Sequence, residues 1–180
     1  MSDTERFVAD CRAARAGAEP LLEIRELLER AVRRPGDLVG DDPPTLGGIV
    51  PLYADEQLSI LRVVWAPGMA IRPHNHLMWA AIGMLGGQED NRFFRRSGGG
   101  LTPSGGRELR AGDVALLGDD TIHAVTNPLR RFTTAIHVYG GDLTTRQGRS
   151  EWDEASAAER PYDFAGTRRY FDEANAALRS

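Results

Sequence analysis

Two histidines one residue apart, in Gly68-Met-Ala-Ile-Arg-Pro-His74-Asn-His76, constrain the fold of this chain more than any other feature. In an extended strand alternate side chains share a face, so His74 and His76 point the same way. Two imidazoles projected together into a protein interior are costly unless something binds them. A metal ion meets that condition. Further along, Gly112-Asp-Val-Ala-Leu-Leu-Gly-Asp-Asp-Thr-Ile-His123-Ala-Val-Thr-Asn127 brings in His123 just after a turn, as a third candidate nitrogen.

The surrounding pattern says what kind of body carries these histidines. Before residue 36 the periodicity is helical, and helices are expected at 3–16 and 20–33. Leu21, Ile24, Leu28 and Val32 form the stripe of the second, Pro20 opens it and Pro35-Gly36 stops it. A loop follows from Gly36 to Gly48. From Ile49 the period changes to two, with strands expected at 49–53, 58–65, 70–72, 77–85, 88–95, 108–109, 114–117, 123–127 and 131–139. The glycine-rich stretch 97–106 reads as a flexible hairpin tip or lid, and the polar run 88–96 as an outward-facing strand. Helices are expected again at 151–158 and 167–178, the latter with Tyr170, Phe171, Ala174 and Leu178 on one stripe. Many short strands at close intervals predict a closed all-β core.

The chain of 180 residues is long enough for one compact domain with a buried core. Its expected parts are an N-terminal helical extension (1–45), a barrel (46–143) and a C-terminal helical extension (144–180). A net charge of -4 argues against a nucleic-acid partner. No apolar run approaches the roughly 18 residues of a membrane span, and no signal peptide follows the charged N-terminus. The single cysteine, Cys11, suits a reducing compartment and reads as structural, so the expected location is cytoplasmic. The terminal apolar stripes are compatible with a homodimer.

The spacings G-x5-H-x-H and G-x5-G-x-D-x2-H-x3-N resemble the paired motifs of the cupin superfamily. The resemblance implies a double-stranded β-helix, or jelly-roll barrel, flanked here by N- and C-terminal helices. Cupins commonly add a glutamate ligand shortly after the second histidine, and Leu77-Met78-Trp79-Ala80-Ala81 offers none. Three neutral imidazoles suit a transition metal, with Fe(II) expected and Ni, Mn or Zn as alternatives. Lacking a carboxylate, such a site leaves the ion's charge unbalanced and favours an anionic ligand in an open position.

A narrower resemblance lies in His123-Ala-Val-Thr-Asn127-Pro128 and Thr133-Thr-Ala-Ile-His137-Val-Tyr139, which look like the thiol dioxygenases related to cysteine dioxygenase. That family holds iron(II) with three histidines and carries a Ser-x-His-x-Tyr triad on a late strand. Ala135 stands in the serine position, while His137 and Tyr139 match the rest. The resemblance covers residues 46–143 and implies that Tyr139 is a hydrogen-bond donor or acid toward bound oxygen, oriented by His137. Trp65 falls where that family has a tryptophan. Its carboxylate-holding arginine maps near Gly48, where nothing basic stands, so Arg62, Arg72 and Arg92 are the local substitutes. Arg72 shares the parity of His74 and His76 if the strand stays regular through Pro73. Trp79, Met78 and Met84 are candidates to line a pocket or to fill core.

The first expectation is therefore an O2-consuming iron(II) dioxygenase that oxidises a small thiol to a sulfinate. A cupin oxygenase or isomerase on another small anion is the second. A zinc hydro-lyase or hydrolase and a non-catalytic metal-dependent sensor remain the other two.

Overall fold

The computed structural model describes residues 1–39, 42–153 and 155–179. Two helices come first, α1 (Asp3–Arg15) and α2 (Pro20–Ala31), then the short α3 (Gly36–Val39). Ser2 and Glu5 form a capping box that satisfies the first free amides of α1. Eleven strands follow: β1 (Gly48–Ala54), β2 (Ser59–Trp65), β3 (Ala70–Asn75), β4 (Ala80–Gly86), β5 (Gln88–Ser97), β6 (Gly100–Arg110), β7 (Val114–Leu117), β8 (Ile122–Thr126), β9 (Thr133–Tyr139), β10 (Ser150–Trp152) and β11 (Glu159–Pro161). The chain ends in α4 (Phe164–Ala177).

The strands make a five-stranded sheet, ordered β1-β2-β9-β4-β7, and a six-stranded sheet, ordered β11-β10-β3-β8-β5-β6. Every pairing is antiparallel. Leu61, Val63 and Trp65 of β2 and Ala80, Ile82 and Met84 of β4 meet Ile71, Leu109 and Val125 of the other sheet in one core. The alternate residues Ile60, Ala81, Leu85, Ile136 and Val138 face α1 and α2 in a second apolar layer with Phe7, Ile24 and Leu28. Covered on both faces, β2, β4 and β9 read as near-continuous apolar runs rather than as alternating ones. At Gly83, α2 approaches so closely that a Cβ would lie 3.0 Å from Leu28. This is the expected double-stranded β-helix with helices at both ends. Among the described residues no helix is long and apolar enough to cross a membrane.

Four local expectations need correction. The strand expected from Leu77 starts at Ala80, because Leu77 takes a left-handed turn with φ 55° directly after His76. The hairpin tip expected over 97–106 is confined to Gly98 and Gly99, which supply its positive φ, and β6 runs from Gly100 in an extended hairpin with β5. The polar run of β5 alternates, so Glu89 and Asn91 are buried while Arg92 is exposed. In the segment expected as a helix over 151–158, residues 151–153 and 155–158 are not helical, and residue 154 lies outside the described residues. Trp152 is buried on β10, Glu151 pairs with His74 of β3, and the Asp153 carboxylate accepts from the Ala155 and Ser156 amides to make a turn. The C-terminal segment therefore completes a sheet as well as adding α4.

Asn127 of the second motif ties the end of β8 to its neighbours. Its Nδ2 donates to the Trp65, Ala66 and Arg131 carbonyls, and its Oδ1 accepts from the Leu129 amide and the Thr133 hydroxyl. Each buried polar group left unpaired costs about 1–3 kcal/mol. Asn127→Ala is thus expected to destabilise the fold by roughly 2–4 kcal/mol, read as a lower urea midpoint. An unchanged midpoint would show that these groups find other partners.

Candidate metal centre

The three histidines reach one point by different routes. His74 and His123 are direct cross-strand partners on β3 and β8, a pairing that brings side chains on one face together. His76 lies just past the end of β3. The ligand atoms of all three lie within 4.8 Å of one another, and all three residues are buried. His74 Nε2 and His76 Nε2 are 3.1 Å apart. Two nitrogens each ~2.1 Å from one ion, at angles near 90–110°, would stand about 3.0–3.4 Å apart. The spacing fits a shared metal.

The protonation pattern fits too. His74 Nδ1 lies 3.0 Å from the Arg72 carbonyl oxygen, which can only accept, so Nδ1 carries the hydrogen and Nε2 the lone pair. His123 Nε2 is buried without a hydrogen-bond partner. An orphaned imidazole nitrogen aimed at two others is costly in a protein interior and natural in a ligand. Burial brings His74 down to about 4. Burial first, and then the neighbouring histidines, hold His76 and His123 well below the ordinary imidazole range. All three are therefore neutral at physiological pH, the form that binds metal.

The cavity beside them is narrow and mostly apolar, walled by Leu61, Val63, Ile71 and Val125 from the two sheets and by Phe164 and Phe171 of α4. Tyr139 lines it, with its ring 4.9 Å from that of His76 and its hydroxyl 3.1 Å from His137 Nδ1. Burial pushes the Tyr139 hydroxyl above the ordinary tyrosine range, so it stays protonated at neutral pH. Trp65 also lines the cavity, stacked on Phe171 at 5.5 Å, and its Nε1 donates to Glu89 at 2.7 Å.

The candidate substrate contacts fare differently. Arg72 is turned away from the cavity. Register slips between Ile71 and His74, so Arg72 and Pro73 together bulge opposite one residue of β8 and the parity with His74 is broken. Its guanidinium sits 3.8 Å from Glu151 and over the Tyr170 ring instead. Arg62 is on the outer face of β2 and donates to the Leu38 carbonyl oxygen. Arg92 lies over the Phe94 ring on the exposed face of β5. Trp79 packs against the helical layer and over Gly140, and Met78 and Met84 are core residues. None of these six lines the cavity.

Sequence reasoning missed Arg149. It is 6% exposed and is the one arginine among the described residues that line the cavity. Nε donates to the Asn75 carbonyl oxygen at 3.1 Å and Nη1 to that of Leu143 at 2.7 Å. Its guanidinium lies 3.8 Å over the Tyr162 ring. Burial pulls its pKa down from the ordinary arginine value, a cost that an anion in the cavity would offset. Glu89 was missed as well, and an inward Asn91 was only the lesser reading of a strand taken as outward-facing, although the alternation Glu89-x-Asn91-x-Phe93 was the signal for an inward face. Cys11 is remote from all this: it is buried in the helical layer, and burial followed by the nearby Asp10 charge pushes its thiol up to about 12.

No protein-family model matches the chain. Solved structures do. A cupin-family protein with a double-stranded β-helix fold from Methanocaldococcus jannaschii is 10% identical, with a TM-score of 0.46 over 59% of this chain and 95% of that one. Oxalate decarboxylase from Bacillus subtilis is 15% identical, with a TM-score of 0.42 over 53% of this chain and 24% of that one. A DMSP lyase from Ruegeria pomeroyi is 20% identical, with a TM-score of 0.44 over 56% and 50%. The chain thus spans about a quarter of the decarboxylase and half of the lyase. These are likenesses of architecture. The two antiparallel sheets carry the fold, and between them three buried histidines form a group able to hold a metal.

Proposed function

We propose that this protein is a mononuclear non-haem iron(II) dioxygenase that adds both atoms of O2 to the sulfur of a small anionic thiol. The observation that carries the reading is the convergence of three neutral imidazoles, with no carboxylate ligand among the described residues, on an apolar cavity shared with Tyr139 and Arg149. A bound iron(II) would keep the sulfur deprotonated and bring dioxygen beside it. The reaction RS⁻ + O2 → RSO2⁻ takes four electrons from sulfur and needs no outside reductant.

The side chains divide the remaining work. His74, His76 and His123 are the ligands. Arg149 holds the anionic group of the substrate at one end of the cavity, which fixes the sulfur relative to the metal. Tyr139 keeps its proton at the cavity wall; its one O–H rests on His137 Nδ1 and turns from there to donate toward oxygen. Leu61, Val63 and Val125 exclude water, which strengthens each of these interactions.

Arg149 also favours a second reading, because a guanidinium selects an anion without asking for sulfur. On that reading the substrate is a small carboxylate, and the chain is an oxygenase or isomerase. Oxygen uptake by the iron-loaded protein with cysteine, 3-mercaptopropionate and cysteamine separates the two, with product mass as the check. Uptake that yields a product two oxygen atoms heavier supports the thiol reading. Iron bound at one per chain with no uptake on any thiol contradicts it and favours the second. No uptake and no retained iron leaves the zinc or sensor expectations.

Tyr139→Phe is expected to keep its metal and lose about 10²-fold or more in turnover, the usual scale for a positioned acid. Equal rates would make Tyr139 a wall residue only.

A further inference from the structure

Glu89 is fully buried inside the six-stranded sheet, where it has no role as a metal ligand. Three groups surround its carboxylate. Trp65 Nε1 lies 2.7 Å from Oε2, His137 Nε2 3.2 Å from the same oxygen, and Asn91 Nδ2 3.0 Å from Oε1. Burial alone would raise the carboxyl pKa, but the contact with His137 and the hydrogen bonds from His137, Asn91 and Trp65 outweigh it and hold Glu89 below the ordinary glutamate value.

An ionised carboxylate can only accept hydrogen bonds, and that single fact propagates in two directions. Toward the metal, the Asn91 amide must turn its NH2 to Glu89, which leaves Oδ1 to face His123 Nδ1 at 2.6 Å. An amide oxygen also only accepts, so His123 must carry its hydrogen on Nδ1, leaving the Nε2 lone pair for the ion. Toward the tyrosine, His137 must carry a hydrogen on Nε2. Its Nδ1 then takes up the Tyr139 hydroxyl. Ala135 stands where the resembling triad has serine, so Glu89 of β5 is the second partner of His137.

We infer that Glu89 is the positioning residue of the site, one buried carboxylate that sets the ligand tautomer of His123 through Asn91 and the orientation of Tyr139 through His137. The inference rests on the three-histidine metal reading but not on the identity of the substrate. A glutamine at this position offers one oxygen and one NH2 for three donors. If the oxygen keeps Trp65 and His137, Asn91 must flip, and His123 shifts its hydrogen to Nε2 and ceases to be a ligand.

The test is metal affinity together with the histidine tautomers of the metal-free protein, read by long-range 1H–15N NMR. Wild type is expected to show Nδ1–H for His123 and Nε2–H for His137. Glu89→Gln is expected to bind metal about 10–100-fold more weakly, the scale for losing an outer partner of a ligand. The double variant E89Q/N91D restores the acceptor toward His123, since the new amide can donate to the new carboxylate, and should recover most of that loss. Glu89→Gln with wild-type affinity and an unchanged His123 tautomer would overturn the inference. So would a double variant no tighter than the single one. Should Glu89→Gln fail to fold, the wild-type tautomers still decide: a hydrogen on His123 Nε2 overturns the assignment. Wild type that binds no metal with the assigned tautomers in place would instead overturn the metal reading beneath it.

Discussion

Replacing His123 with alanine is expected to leave a folded protein that no longer retains metal. The residue is 1% exposed and stands second in β8, where its Nε2 has no partner among the described residues. Removing it deletes one of three ligands, which should cost well over the ~10–100-fold that follows loss of an outer partner. The Asn91 oxygen would lose its donor too, so a modest fall in stability of about 1–2 kcal/mol is expected alongside. Metal analysis after exhaustive dialysis, with a thermal melt as control, separates the two effects. A variant that keeps one metal per chain would show that the three histidines are not a ligand set.

The second large effect is expected at Arg149. Arg149→Met keeps an unbranched chain of similar length and removes the charge from the cavity. Hydrogen bonds to charged groups contribute about 1.5–3 kcal/mol, so KM for an anionic thiol such as 3-mercaptopropionate should rise roughly 10–150-fold. Cysteamine has no anionic group and should be affected far less, which turns the variant into a change of specificity. Metal content should be unchanged. Steady-state kinetics on both thiols checks this, and equal changes for both would assign Arg149 to structure alone, through Asn75 and Leu143.

What the sequence disclosed and what it hid follow from how far apart the partners lie along the chain. His74 and His76 are two residues apart, and their common direction needs only local strand geometry. The change of period near Ile49 likewise announced a sheet core without any tertiary knowledge. Arg149 was invisible because it reaches the cavity through β10, whose pairing with β3 no local pattern encodes. The apolar content of that segment is essentially Trp152, too little to distinguish a short strand from a helix. Arg72 failed for the opposite reason: strict alternation was assumed across Pro73, where the chain bulges. Glu89 and Asn91 were hidden by their own polarity. A strand with charges at half of its ten positions reads as solvated unless one knows that its inner face meets other polar groups.

Anaerobic titration of metal-free wild type with iron(II) tests the central claim most directly. One equivalent should bind tightly, and X-ray absorption at the iron edge should report three imidazole nitrogens. No saturable uptake, or an ion bound through oxygen ligands alone, would contradict the account.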